Sequence, residues 1–181
     1  MSAFSMEFVP GTLAKFGDGL VKAVEESVRP AAQAGSQVLY DQVLTNVNAI
    51  KRHTGNLARA IYQVYSGRNN DPKMAIYAVS WNKRKAPHGW LVENGYLQRY
   101  EVVRLPNGRF LTAVRPEMRG KKRPRSNAPL AEKLAYYMPR KGGPVQVPAR
   151  SFLRRAFASK SAQAQKVMED RLWAELKKRG Y

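Results

Sequence analysis

The sequence predicts an α+β fold, in which an antiparallel β-sheet packs against a long N-terminal helix and a C-terminal helix. Three patterns support this fold class. Apolar residues recur at three- and four-residue steps from about residue 18 to residue 49, which is typical of one long amphipathic helix. The runs 57–65 and 74–81 are rich in β-branched and aromatic residues, as strands are. Residues 152–178 resume a helical pattern after Ser151, a residue suited to a helix N-cap.

Shorter elements complete the prediction. Pro30 has no amide hydrogen to donate, so we expect a kink there, with two abutting helices as the alternative to one bent helix. Asn107 and Gly108 lie between two β-prone runs and predict a hairpin. The remaining predicted elements are a strand at 6–9, a helical turn or bend at 88–95, a loop at 116–129, a short helix at 130–138 and a strand at 145–147.

Length and composition fit one domain spanning residues 1–181, with a long basic loop and hairpin insertion at about 96–147. The chain has no cysteine, which excludes disulfides and cysteine-ligated zinc. No apolar run approaches the roughly 18–20 residues of a membrane span, and the N-terminal residues lack a signal-peptide pattern. We therefore expect a protein of the cytoplasm with no membrane partner.

Positive charge is concentrated in one part of the chain. Of the net charge of +19, residues 104–155 carry +12, whereas residues 1–50 carry −2. Four cations at the centre of this block are called the basic cluster below: Lys121, Lys122, Arg123 and Arg125. Such a block attracts polyanions, whether DNA or an acidic protein surface, and a merely solvated loop is the alternative.

Nucleic-acid binding through the region 104–141 is the alternative function that this charge favours. The cations would contact phosphates, and the aromatic rings of Trp90, Tyr136 and Tyr137 would stack on bases. No RRM, KH, zinc-finger or helix-turn-helix pattern accompanies these residues.

The sequence offers little for catalysis. The two histidines, His53 and His88, are not spaced as metal ligands, and no glycine-rich phosphate-binding loop is present. His88 and Glu93 form at most one acid–base pair without a nucleophile, for which a structural role is the favoured interpretation. We therefore expect no enzyme, no cofactor and no metal.

Three short stretches remain, and we call them the first, second and third motifs. They are Thr-Gly-Asn-Leu at 54–57, His-Gly-Trp-Leu-Val-Glu-Asn-Gly at 88–95 and Pro-Ala-Arg-Ser-Phe-Leu at 148–153. Their order and spacing resemble those of the tail-completion and head–tail joining family of tailed bacteriophages, the ring-forming neck proteins of lambda-like phages. Members of that family carry Thr-Gly-x-Leu, then His-x-x-aliphatic-aliphatic-Glu-x-Gly, then Pro-Ala-x-Pro-Phe-Leu. The resemblance covers about residues 20–95 and 145–180.

The positions that match the family motifs are Thr54, Gly55, Leu57, His88, Gly89, Leu91, Val92, Glu93, Gly95, Pro148, Ala149, Phe152 and Leu153. The sequence departs from the family at Trp90, Asn94, Ser151 and Arg155. The roughly fifty residues between the second and third motifs are more than family members often have, so the insertion is expected to carry a phage-specific role.

The resemblance implies an α+β fold, no catalysis and a ring of identical copies, often a hexamer. Such a ring lies in the virion neck, is assembled in the host cytoplasm and surrounds the channel through which packaged DNA passes. Its partners would be the head connector or adaptor on one side and the tail terminator or tail tube on the other. The basic cluster is the candidate contact with such a partner.

Overall fold

A computed structural model of the chain describes residues 10–50, 55–67 and 74–181, with only the backbone described for 10–15. The α+β class is confirmed. The chain divides into two compact units: Met1–Gly89 with Ser151–Tyr181, called the helical unit here, and Trp90–Arg150, called the inserted unit. The inserted unit contains the whole of the predicted basic insertion. The strand predicted at 6–9 and Thr54 of the first motif lie outside the described residues.

The helical unit contains two long helices and a two-stranded sheet. Its elements are α1 (Pro10–Asn48), α2 (Asn56–Ala60), β1 (Ile61–Ser66), β2 (Ile76–Trp81) and α5 (Phe152–Lys178). Helix α3 (Gly89–Asn94) begins at Gly89, the last residue of the helical unit before the insertion. α1 runs without interruption through Pro30, so the alternative of two abutting helices is wrong. Packing of α1 along α5 is the most extensive contact between elements of the unit, and this packing offsets the hydrogen bond that Pro30 cannot make.

The close approach of α1 to α5 depends on a glycine. A Cβ on Gly35 would lie 2.8 Å from the carbonyl oxygen of Ala164 and would overlap the side chain of Met168. Most of the core consists of small and aliphatic side chains, together with the two aromatic residues Trp81 and Phe152. Among the described residues of the unit, the buried apolar ones are Ala23, Ala31, Val43, Val47, Leu57, Ala60, Ile61, Trp81, Ala86, Phe152, Ala156, Ala164 and Leu176.

The strand predicted at 57–65 begins later than expected. Residues Asn56–Ala60 form the short helix α2, and β1 starts only at Ile61. Leu57 and Ala60 are both buried, and a three-residue interval puts them on one helical face against the core. β1 pairs with β2 in the predicted antiparallel sense, from Ile61 opposite Trp81 to Ser66 opposite Ile76. Both strands pack against α1.

The inserted unit is built from short strands. They are β3 (Tyr96–Gln98), β4 (Val102–Arg104), β5 (Phe110–Thr112) and β6 (Val145–Val147), with a 3-10 turn at Pro116–Met118 and helix α4 (Leu130–Tyr136). The predicted hairpin is present as β4 paired with β5, and β6 pairs with β3. The strands within the described residues therefore form three two-stranded antiparallel sheets, whereas a single sheet was predicted from the sequence.

Three chain segments close on one another at the centre of the inserted unit. The amide of Ala113 donates to the carbonyl of Glu101 (2.8 Å), that of Glu101 to Met138 (3.0 Å), and that of Met138 back to Ala113 (2.9 Å). Ala113 and Tyr137 are buried beside this cycle. The hairpin, the segment before it and the end of α4 are thus joined by backbone hydrogen bonds. None of the helices described in the two units has the length and apolar character needed to cross a bilayer.

Candidate functional site

The two glycines of the second motif are each required by a close neighbour. Gly89 lies so close to the indole of Trp81 that a Cβ at this position would come within 2.7 Å of the indole Cδ1. Gly95 has φ of 71°, the left-handed region that favours glycine. A Cβ on Gly95 would also lie 2.7 Å from both the amide nitrogen of Ala149 and the carbonyl oxygen of Val147. The motif spacing thus places a glycine at each end of α3, where the backbone or a ring approaches.

The second and third motifs contact each other inside the inserted unit. Gly95 of the second motif packs on the backbone of Val147, Pro148 and Ala149. Next to this contact, the amide of Arg150 donates to the carbonyl of Val92 at 2.8 Å. Two stretches separated by about fifty residues of sequence are therefore brought together.

The rest of the third motif lies in the helical unit. Phe152 is completely buried, with its ring edge-on to Trp81 at a centroid distance of 5.8 Å. The side chain of Asn46 donates to the carbonyl of Phe152 at 2.9 Å, which ties the start of α5 to α1. Leu153 is half-buried. Trp81 therefore contacts Gly89 of the second motif and Phe152 of the third.

Trp81 is the residue of this site that sequence reasoning missed. The alternation of 74–81 marked it as the last residue of a strand but gave it no role. Its position opposite Ile61, itself buried, is the signal that it faces the core, but that pairing is known only once the register of β1 and β2 is known.

Ser151 does not act as the predicted N-cap. It precedes α5 with φ of 46° and ψ of 47°, and its side chain makes no capping hydrogen bond. Capping normally needs an extended backbone, from which the side-chain oxygen reaches the amides of the first helical turn. Ser151 therefore occupies the predicted position directly before α5, but its left-handed backbone removes the geometry in which its side chain would cap the helix.

Gly55 and Leu57 of the first motif lie at the start of a helix. Gly55 adopts φ of 70° directly before α2, and Leu57 is buried in the first turn of that helix. A left-handed residue at this position favours glycine, which accounts for the Gly-x-Leu spacing in local terms. α2 packs against α1 within the helical unit.

The remaining residues of the second motif differ in exposure. His88 is exposed, and Leu91 and Trp90 are also exposed, at 37% and 57%. Val92 is half-buried, and Glu93 is only 5% exposed and does not lack an interaction partner. Within the described ranges, no group of three or more His, Cys, Asp or Glu side chains could hold a metal ion.

The basic cluster is tied to the end of α4. The guanidinium Nε of Arg123 donates to the hydroxyl of Tyr137 at 2.7 Å, and its charge lies 6.0 Å above that ring. The hydroxyl of Tyr136 donates to the carbonyl of Lys121 (3.2 Å), and the ammonium of Lys133 donates to the carbonyl of Ser126 (2.6 Å). The loop that carries the cluster is thus anchored at three points. All four members of the cluster remain exposed to solvent.

Tyr137 cannot serve as a base-stacking ring. It is only 9% exposed, and its ring lies 5.0 Å from that of Tyr136 and 5.2 Å from that of Tyr100. The suggestion that this tyrosine stacks on bases is therefore wrong, because its ring faces and its hydroxyl are already used within the unit. Trp90 remains exposed.

Positive charge dominates the inserted unit. Its residues include 13 Lys and Arg against 4 Asp and Glu, a net charge of +9. One of the four acidic side chains, Glu117, pairs with Arg115 at 3.8 Å. Lys121, Lys122 and Arg125 form no ion pair with the described residues. Most of the excess charge is therefore left for an external anion or for solvent.

No protein-family model, curated protein or solved structure matches the chain.

Proposed function

We propose that this protein is a structural subunit of the neck of a tailed bacteriophage. Identical copies, six if the resemblance holds, form a ring that completes the tail and joins it to the head connector around the DNA channel. The observation that carries the proposal is the contact of Gly95 with Pro148 and Ala149, together with the hydrogen bond between Arg150 and Val92. Motifs that recur together in one family are expected to contact each other when they define a common structural element.

Surface composition also supports an assembly role. The outer face of the β1–β2 ribbon exposes Tyr62, Val64 and Ile76 at 41–46%. In the inserted unit, the hairpin exposes apolar side chains on both of its faces: Val102, Val103, Phe110 and Leu111. Contiguous apolar surface of this kind usually marks contact with another protein. A closed ring needs two complementary patches on every subunit, so several such surfaces are expected.

The proposal assigns no chemistry to the chain. His88 and Glu93 are treated as structural members of the second motif, with His88 exposed and Glu93 buried. Because the side chain of His88 is exposed and the proposed role involves no proton transfer, replacing His88 by Ala is expected to leave particle assembly intact. Replacing Gly95 by Ala is expected to abolish it, because the third motif is displaced.

The test is inactivation of this gene in the virus that encodes it. We expect filled heads and complete tails to accumulate separately, and joined particles to return when the wild-type protein is supplied in trans. Gly95→Ala should fail to restore joining, whereas Gly142→Ala should restore it, since a Cβ on Gly142 meets nothing within 4 Å. Infectious, joined particles in the absence of the protein would overturn the proposal.

A further inference from the structure

We infer that the inserted unit binds the phosphate backbone of duplex DNA without reading its sequence, through the basic cluster. The inference rests on the proposed function for its setting, since a ring around the DNA channel is where its subunits would meet a duplex. Its physical basis lies in three properties of the loop at 119–127, which carries the basic cluster: cations without an ion pair, anchoring hydrogen bonds, and a composition almost without apolar side chains.

The first property is charge without internal neutralisation. Lys121, Lys122 and Arg125 are exposed and form no ion pair with the described residues. Like charges this close in sequence repel one another, which destabilises the loop unless an external anion is present. By contrast, Arg171 and Lys178 of α5 are paired within the helix, because Glu175 accepts contacts from Arg171 at 2.8 Å and from Lys178 at 3.1 Å.

The second property is the anchored loop. Arg123 is fixed by its hydrogen bond to the Tyr137 hydroxyl, and the carbonyls of Lys121 and Ser126 accept hydrogen bonds from Tyr136 and Lys133. These hydrogen bonds therefore hold the backbone of the loop that carries Lys121, Lys122 and Arg125. Binding to such a loop costs less conformational entropy than binding to an unanchored one. Arg123 thus serves as a positioning residue for its neighbours.

The third property is the composition of the surface. Residues 119–127 include five cations, a serine and an asparagine, and the proline at 124 is their one largely apolar side chain. Protein interfaces have an apolar centre, which this stretch does not offer. Lys, Arg, Ser and Asn are the side chains that contact phosphates. Because Tyr137 is buried, the surface also lacks the stacking platform of single-strand binders at that position. Duplex phosphate is the partner that fits.

The test compares two triple variants of the full-length protein that remove the same charge. Lys121→Ser/Lys122→Ser/Arg125→Ser removes the three cations of the basic cluster that form no ion pair and keeps Arg123, which anchors the loop. Lys83→Ser/Arg84→Ser/Lys85→Ser removes three exposed cations from a turn of the helical unit. Both variants have a net charge of +16, so long-range attraction to a polyanion is matched between them.

The readout is the affinity for a short duplex of arbitrary sequence, measured by fluorescence anisotropy between about 50 and 200 mM salt. We expect the cluster variant to bind more weakly, with the slope of log K against log salt reduced by about 2.7, since each phosphate contact contributes about 0.9. The control variant should keep the wild-type slope. Equal slopes in the two variants would overturn the inference, as would a strong preference of the wild-type protein for one duplex sequence.

Tyr137→Phe tests the anchoring without changing charge. It keeps the buried ring and removes the hydroxyl that accepts from Arg123. We expect affinity for the duplex to fall about 2- to 10-fold, because the loop must be ordered on binding, while the salt slope stays the same. Unchanged affinity in a folded Tyr137→Phe protein would contradict the role of Arg123.

Two further outcomes separate the alternatives. If the cluster variant binds the duplex like the wild type but loses binding to poly-glutamate, the surface takes an acidic protein and the inference is wrong. The native mass of each variant is recorded in parallel. A cluster variant that keeps its oligomeric state but loses affinity for DNA supports the inference. A wild-type protein that is a monomer and still binds DNA through the cluster would overturn the proposed neck function, while the inferred phosphate contact would still hold.

Discussion

Phe152, the first residue of α5, places its ring edge-on against the indole of Trp81, the last residue of β2. The ring centroids are 5.8 Å apart and the ring planes are inclined by 72°. Edge-to-face geometry at this distance is favourable for two aromatic rings, in addition to the area that they bury. The contact joins the end of the β1–β2 ribbon to the helix that packs along α1.

Truncation of Phe152 should therefore be costly. Phe152→Ala is expected to lower the free energy of unfolding by about 3–5 kcal/mol, since the side chain is completely buried and leaves a cavity. Phe157→Ala is the matched control on the same helix, because Phe157 is 64% exposed. Its cost should stay within about 0.5 kcal/mol. Urea denaturation of both variants checks this, and equal losses would show that the Trp81 contact carries little stability.

Gly95 combines a left-handed backbone with a close approach, and the two effects can be separated. Gly142→Ala should cost about 1–2 kcal/mol, since its φ of 81° strains an L residue but nothing crowds the added Cβ. Gly95→Ala should cost a further 1–3 kcal/mol, because the backbone of Val147 and Ala149 must move. Chemical denaturation gives both values. A Gly95→Ala protein as stable as Gly142→Ala would mean that the motif contact is not tight.

Glu175 makes the stability of the helical unit sensitive to acid. The hydrogen bond from Lys178 and the positive charges of Lys178, Arg171 and Arg179 lower its pKa below 4.5, although burial opposes this shift. A pKa lowered on folding contributes stability above the unfolded-state pKa, and the contribution is lost as the pH falls through the folded-state pKa.

The corresponding prediction concerns Glu175→Gln. The variant should be less stable than the wild type at neutral pH, and the difference should shrink steadily as the pH falls below about 4.5. Asp170→Asn, at an exposed position on the same helix, is the control for the loss of one negative charge. Thermal melts from neutral to acid pH measure the difference. A gap between wild type and Glu175→Gln that persists at low pH would contradict the linkage.

Local signals in the sequence predicted those elements that local interactions determine. The bounds of α5, 152–178, were predicted to the residue, because the apolar periodicity runs through this segment and ends shortly before Gly180. The hairpin followed from the Asn107-Gly108 turn in the same way. β3 was not predicted, because its partner, β6, is about fifty residues away in the sequence and no short turn joins the two strands.

The site was predictable in part for the same reason. Motif composition identified Gly95 and Phe152, but not the residues that require them, namely Ala149 and Trp81, since those contacts are made between distant parts of the chain. Composition also located the basic cluster, but it predicted an unanchored loop. The bond from Arg123 to Tyr137 pairs residues fourteen positions apart and leaves no periodic pattern in the sequence.

Native mass spectrometry of the purified protein at micromolar concentration tests the central claim, a closed ring of identical copies, most directly. The account predicts one dominant species of fixed stoichiometry, and six copies of the 20.4 kDa chain would give about 122 kDa. Electron micrographs of that species should show a ring with a central opening. A monomer at every concentration tested, or a continuous series of sizes such as an open filament produces, would contradict it.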